Sequence, residues 1–215
     1  TQPDIPFYGA RDVAVKHGIT YIAGGEAGIY IYSSVTPTAT LEKIGYKDTN
    51  GTAQALALLD RTGQEAVRTQ GAATGQLTIT VKGAETIVAS TLFVADGEGG
   101  VVVLDVTDPA NPSPVVTISR PGHVYNLRAE ENRLYVSQGV QGWSLIDVRD
   151  PSHYQELLAY DTKGDVRDIA ISENYIAVAD GSNGLLVYRN AENPLQISKE
   201  PKVISLPGFA SSVEL

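Results

Sequence analysis

Four polar residues recur at one place in the chain, at the head of a short apolar run. They are Asp12 in DVAV, Gln54 in QALAL, Asn126 in NLRA and Asp168 in DIAI, with Ser212 in SVEL as a fifth. Carboxylates and amides gathered on one rim offer oxygen ligands to a cation, or donors and acceptors to a polar ligand. If buried, the same groups need hydrogen-bond partners, and capping backbone N–H groups of neighbouring chain is the expected use. Arg11 and Arg167 stand beside Asp12 and Asp168 and are placed to neutralise them.

Other candidates carry less. The turns Asp96-Gly97-Glu98-Gly99 and Asp180-Gly181-Ser182-Asn183 offer oxygens for Ca2+ but lack the alternating Asp spacing of a dedicated loop, so structural Asp-Gly turns are expected. His17, His123 and His153 are the three histidines, and their repeat positions put His123 on the opposite face from the other two, which argues against a three-His zinc site. Neither a Gly-x-Ser-x-Gly elbow nor a phosphate loop occurs. Trp143 follows a turn glycine as Ile29, Val101 and Leu185 do, so it is expected in the core. No catalytic residue, metal site or cofactor is assigned.

The elements that position these residues repeat. Glycines opening an apolar run stand at Gly28, Gly100, Gly142 and Gly184, at steps of 72, 42 and 42 residues. A second series ahead of the first run, Gly9, Gly51, Gly122, Gly164 and Gly208, has steps of 42, 71, 42 and 44. Around the first series the copies align without gaps as YIAGGEAGIYIY (21–32), FVADGEGGVVVL (93–104), YVSQGVQGWSLI (135–146) and AVADGSNGLLVY (177–188). Each reads as strand, glycine turn, strand. Turns at Thr36-Pro37, Asp108-Pro109, Asp150-Pro151 and Asn193-Pro194 close the third strand, because proline cannot continue a ladder. The fourth strands are expected at 41–46, 115–119, 156–160 and 202–206.

Four-stranded units at a period of about 40–45 residues are the signature of an all-β propeller, whose blades bury their faces on one another. The units are 9–50, 51–121, 122–163 and 164–207, followed by a partial fifth at 208–215; residues 1–8 read as a linker or partial outer strand. The pattern VADGEGGVVVLDVTDPANP (94–112), with further copies at 136–151, 178–194 and 22–37, resembles the LVIVD-repeat family of β-propellers. The resemblance implies the fold and no catalytic residues. Family members often look secreted or surface-attached, so an extracellular or cell-surface location is the expectation.

The second unit is longer by about 30 residues, an insertion at 59–90. Glu65–Gln70 and Gln76–Val81 flank Gly-Ala-Ala-Thr-Gly and read as a hairpin projecting from one face. Long insertions on rigid scaffolds are where binding resides. Arg68, Thr69, Gln70, Thr74 and Gln76 are therefore the expected contact residues for a protein or glycan partner.

Composition narrows the classes. The net charge of −9, with scattered basic residues, argues against a nucleic-acid partner. No apolar stretch is long enough to span a membrane. Cysteine is absent, which removes disulfides and thiolate chemistry, and the lack of Met marks the chain as a mature product or excised piece. An unfinished fifth unit points to part of a larger propeller flanked by further domains. The leading expectation is a non-enzymatic interaction or scaffold module. The alternatives are a ligand- or glycan-binding propeller using the channel mouth and, behind it, a hydrolase or lyase.

Overall fold

The computed structural model describes residues 9–33, 41–70 and 77–215, and of 61–70 and 77–88 the backbone alone. The described residues form four four-stranded antiparallel sheets. The first holds β1 (Asp12–Lys16), β2 (Ile19–Ala23), β3 (Ile29–Ser33) and β4 (Glu42–Lys47). The second holds β5 (Ala55–Gln70), β6 (Leu77–Ala95), β7 (Val101–Asp105) and β8 (Ser113–Ile118). The third holds β9 (Asn126–Glu130), β10 (Arg133–Ser137), β11 (Trp143–Asp147) and β12 (Gln155–Tyr160). The fourth holds β13 (Asp168–Ile171), β14 (Tyr175–Ala179), β15 (Leu185–Arg189) and β16 (Lys202–Ile204). Strands lie side by side in chain order within each sheet, the meander of a propeller blade.

The side-chain period of two sends alternate residues of one strand into two different cores. Tyr21, Ala23 and Ile31 of blade 1 meet Leu56, Val94 and Leu104 of blade 2. On the other face of blade 2, Ala57, Phe93 and Val103 meet Leu127, Val136 and Ile146 of blade 3. Tyr135, Trp143 and Leu145 then meet Ile169, Val178 and Tyr188 of blade 4. Trp143 is fully buried, stacked on Tyr160 at 4.8 Å and edge-on to Tyr188 at 5.3 Å. Aromatic contacts of this kind add about 0.5–1.5 kcal/mol beyond burial.

Among the described residues the arc of blades does not close. Val13 of β1 is 50% exposed, whereas its counterparts Leu56, Leu127 and Ile169 are exposed by 6%, 1% and 1%. Val13 belongs to a face that blades 2 to 4 cover with their predecessor. The strand expected at 212–215 is not formed, because no second strand among the described residues lies alongside to pair with it. The outer strand considered for 1–8 and the Thr36-Pro37 turn lie outside the described residues.

β5 and β6 pair from Ala55↔Ala95 out to Gln70↔Leu77, with register shifts at Arg61/Thr62 and Gln64/Glu65. β7 joins β6 only over Thr91–Ala95, so beyond that point the described ladder is two-stranded. Another irregularity repeats: the third and fourth strands slip register between Ile31 and Tyr32, Val103 and Leu104, and Leu145 and Ile146. These are one bulge at one place in three blades.

Gly142 shows why a glycine opens each third strand. Its φ is +80°, and a Cβ there would collide with the Tyr160 carbonyl oxygen. Gly142→Ala is expected to destabilise the protein by more than the ~1–2 kcal/mol of left-handed strain alone. Urea denaturation followed by Trp143 fluorescence measures it, and a loss within that range would mean that fourth-strand backbone does not crowd the position.

Candidate functional site

The seams between blades are stitched first by backbone. The turn residues Gly25, Gly97, Gly139 and Gly181, at φ of 64°, 60°, 59° and 59°, bridge to Ala53, Val124, Val166 and Ala210. Both N–H···O bonds form at 2.9–3.2 Å in the Gly25–Ala53, Gly139–Val166 and Gly181–Ala210 bridges. The bridges to Ala53, Val124 and Val166 each deliver the chain to the next first strand two residues later.

Asp12, Asn126 and Asp168 stand at that first-strand position and are used up in the stitching. Asp12 accepts from the Val13 N–H of its own strand and, at 2.8 Å, from the Leu56 N–H of blade 2. Asp168 repeats the arrangement, accepting from Ile169 N–H at 2.8 Å and from Val213 N–H at 3.1 Å. It also takes Asn126 Nδ2 at 2.6 Å, Ser212 Oγ at 3.0 Å and Arg128 Nη2 at 3.4 Å. Asn126 Oδ1 accepts from Leu127 N–H. These oxygens cap backbone and leave little to a ligand.

Gln54 is not the fourth member. The strand register aligns Asp12, Asn126 and Asp168 with Ala55, because Asp12↔Ala23, Asn126↔Ser137 and Asp168↔Ala179 correspond to Ala55↔Ala95. Gln54 falls one residue earlier, with Arg11, Tyr125 and Arg167, where each backbone N–H donates to the end of the second strand at 2.7–2.9 Å. Nor does Arg167 neutralise Asp168. It pairs with Asp165, and its guanidinium lies 3.9 Å over the Tyr125 ring and 5.5 Å from the Phe209 ring. His123 continues the stack, 4.4 Å from Tyr125. This cation–aromatic stack is the feature of the rim that sequence reasoning missed; alignment on the Gly-turn bridges rather than on the leading glycines brings it out.

The remaining candidates resolve one by one. Asp96 and Asp180 are fully buried; Asp96 accepts from Gly51 N–H at 2.8 Å, and Asp180 from Thr162 Oγ1 at 2.6 Å and Asn183 Nδ2 at 2.7 Å. Burial pushes both carboxyls above the ordinary range. His17 meets Asp60, His153 meets Asp150 and His123 meets Tyr125, so they have separate partners. Among the described residues no group of three His, Cys, Asp or Glu is arranged to hold a metal. Of the expected contact residues, Arg68, Thr69 and Gln70 lie on β5 opposite Ile79, Thr78 and Leu77. Thr74 and Gln76 lie outside the described residues.

The root of the β5–β6 hairpin is clamped to blade 1. Asp60 Oδ2 takes Lys16 Nζ at 2.8 Å and His17 Nε2 at 2.7 Å, and Oδ1 takes Ser90 Oγ at 2.8 Å. His17 adopts a φ of +51° in the β1–β2 turn that carries it there. Beside the clamp lies a cavity of about 230 Å³ floored by Ile19, Tyr21 and Leu58. Burial, helped by the Asp60 charge, pushes the Tyr21 hydroxyl up to about 12. Burial also works to raise the Asp60 carboxyl, but the Lys16, His17 and Ser90 hydrogen bonds outweigh it and hold it below its ordinary value.

Two outcomes are expected. Asp168→Ala strands more donors than Asp12→Ala, so it is expected to cost more, about 1–3 kcal/mol, in urea denaturation; equal costs would mean that the additional donors add nothing. Asp60, with a lowered folded pKa, stabilises the fold fully above its unfolded value of about 3.9, and that contribution fades as pH falls through the folded pKa. The melting-temperature gap between wild type and Asp60→Asn should therefore be widest near neutral pH and close in acid; a pH-independent gap would refute the clamp as an ionic one.

Comparison with known proteins places this geometry. The model of the LVIVD repeat matches residues 91–118, 121–162 and 163–187. No curated protein matches the chain. A structural-genomics protein of unknown function from Bacteroides thetaiotaomicron is similar in fold, with a TM-score of 0.55 at 14% identity over 96% of this chain and 52% of that one. A chain from a humanized mutant of the Chaetomium thermophilum Polycomb Repressive Complex 2 gives 0.56 at 15% identity over 96% and 45%. The chain thus spans about half the length of these structures, and at such identity the likeness is one of fold. With four meander blades in place and the repeat matched across the second to fourth of them, residues 91–187 match the LVIVD repeat, in keeping with a β-propeller built of such repeats.

Proposed function

We propose that this propeller segment is a non-enzymatic interaction module of a larger, cell-surface or secreted bacterial protein, serving adhesion or protein–protein contact through the β5–β6 hairpin. The observation that carries the reading is the hairpin itself. It departs from an otherwise regular repeat, and it is anchored at its root by Lys16, His17 and Ser90 on Asp60. A rigid scaffold carrying an anchored polar insertion is how repeat proteins present contact surfaces. The Asp12 and Asp168 carboxylates support the same reading, since they serve the seams between blades. The surface location rests on the family resemblance, and further domains of the same polypeptide fit the half-length match to longer chains.

One observation favours a second reading, a glycan or small ligand at the channel mouth. The His123, Tyr125, Arg167 and Phe209 stack offers aromatic faces and a cation at the rim, groups that suit sugar rings.

The test replaces residues 62–88 by a short turn such as Glu131-Asn132. Both chains are immobilised against a cell-envelope fraction, and captured proteins and glycans are quantified. Loss of specific partners at unchanged melting temperature is the expected result. Undiminished capture by the trimmed chain would sink the hairpin reading, and capture abolished instead by Tyr125→Ala would move the contact to the mouth.

A further inference from the structure

We infer that Asn50-Gly51 is a self-modifying site, at which the Asp96 carboxylate drives closure of the Asn50 side chain onto the Gly51 nitrogen and turns Asn50 into aspartate and isoaspartate. The change loosens the seam between blades 1 and 2 as the protein ages.

The sequence holds two Asn-Gly pairs, Asn50-Gly51 and Asn183-Gly184. Glycine after asparagine leaves the backbone nitrogen open to the side-chain carbonyl, because no Cβ stands in the way. The structure treats the two pairs oppositely. Asn183 Nδ2 donates to Asp180 Oδ2 at 2.7 Å and to the Thr162 carbonyl at 3.1 Å, and Gly184 N–H donates to the Gly181 carbonyl. Asn50 is exposed in the turn between β4 and β5, and among the described residues its side-chain amide has no hydrogen-bond partner. It lines a cavity of about 590 Å³ with Glu26, Glu98 and His123, where water has access.

The nitrogen that must be deprotonated already faces a base. Gly51 N–H donates to Asp96 Oδ2 at 2.8 Å. Asp96 is fully buried, and burial raises its carboxyl, which makes the ionised form a stronger base than an ordinary carboxylate. Packing also fixes glycine at 51, since a Cβ there would collide with the Asp96 carbonyl oxygen. Blade 4 builds the same corner with Lys163-Gly164 against Asp180, and a lysine side chain has no carbonyl to cyclise.

The Asp96 carboxylate takes the Gly51 N–H proton as that nitrogen bonds Asn50 Cγ. The Cγ–Nδ2 bond breaks, and the amide nitrogen leaves as ammonia with the proton. Water then opens the cyclic imide, at Cγ to give aspartate or at the Asn50 backbone carbonyl to give isoaspartate. Either product disturbs the seam. Aspartate adds a charge beside Glu26 and Glu98. Isoaspartate adds a methylene to the backbone immediately ahead of Gly51, Thr52 and Ala53, whose N–H groups donate to Asp96 and, from Ala53, to Gly25.

The 215-residue chain is aged in neutral buffer, folded and in urea. Each Asn-Gly pair is followed by peptide mass mapping and by methylation with an isoaspartyl methyltransferase. In urea the two pairs should convert alike. In the folded chain Asn50 should convert several-fold faster than in urea, while Asn183 stays intact. Asp96→Gln copies Gln138, whose N–H donates to Gly142 as that of Asp96 does to Gly100. It removes the base and should slow Asn50 by roughly tenfold or more. Amide exchange in the aged protein should quicken at Gly51, Thr52 and Ala53 and stay slow at Val166; Asn50→Lys, copying Lys163, should keep all four slow. Equal conversion of the two pairs in the folded chain, an Asn50 rate no higher than in urea, or a rate indifferent to Asp96→Gln would overturn the proposal, as would quickened exchange in aged Asn50→Lys. Should Asp96→Gln fail to fold, the comparison of folded chain with urea decides alone.

Discussion

The pairing of a turn glycine with the residue two ahead of the next first strand is the interaction on which the arc depends. A blade with apolar residues on both faces cannot be stable alone, so it must meet its neighbour in a fixed register. The Gly25–Ala53, Gly97–Val124, Gly139–Val166 and Gly181–Ala210 bridges set that register with backbone atoms. A slip of one residue would turn Leu56 away from blade 1 and put Ala55 in its place. Once the bridge is made, the oxygens of Asp12 and Asp168 fall within reach of the next strand's N–H groups, and the seam closes over them.

Much of this was legible in the residues, for a physical reason. Gly28, Gly100, Gly142 and Gly184 combine positive φ with a close approach to fourth-strand backbone, and no other residue type meets both demands, so the series survives where the rest drifts. The series that opens with Gly9 misleads because its constraint is looser. Gly9 stands three residues before Asp12, whereas Gly51 and Gly122 stand four before Ala55 and Asn126, and counting from Gly9 places Gln54 where Ala55 belongs. Side-chain partners were less legible than strands. Arg167 lies next to Asp168 in sequence yet turns to Asp165 and two aromatic rings, because adjacent residues on a strand point to opposite sides. Blade 1 makes the point from the other direction. Its turn reads Gly24-Gly25-Glu26-Ala27 in place of Asp-Gly, the repeat match begins only at residue 91, and still its four strands pair as the others do.

Charge is used in two opposed ways. Asp96 and Asp180 are buried behind turns, where desolvation favours the neutral acid and the hydrogen bonds they accept hold loop backbone or side chains in place. The Asp60 side chain is also largely enclosed, but hydrogen bonds from a lysine and a histidine of the neighbouring blade and from a cross-strand serine reverse the balance. The first arrangement recurs in the turns of blades 2 and 4 and holds each turn to the chain that enters its blade. The second occurs where the repeat is interrupted, and it joins an added element to the scaffold beside it.

The bulge shared by the outer strands of blades 1, 2 and 3 has a bearing on how the molecule keeps its own company. An outermost strand exposes unused donors and acceptors, and several such edges on one molecule are an invitation to stack with others. The slips at Ile31/Tyr32, Val103/Leu104 and Leu145/Ile146 bend each rim out of the flat geometry that stacking requires. β16 reaches the same end by brevity, being three residues long and led by Lys202. The perimeter is thereby made a poor template for fibrous growth.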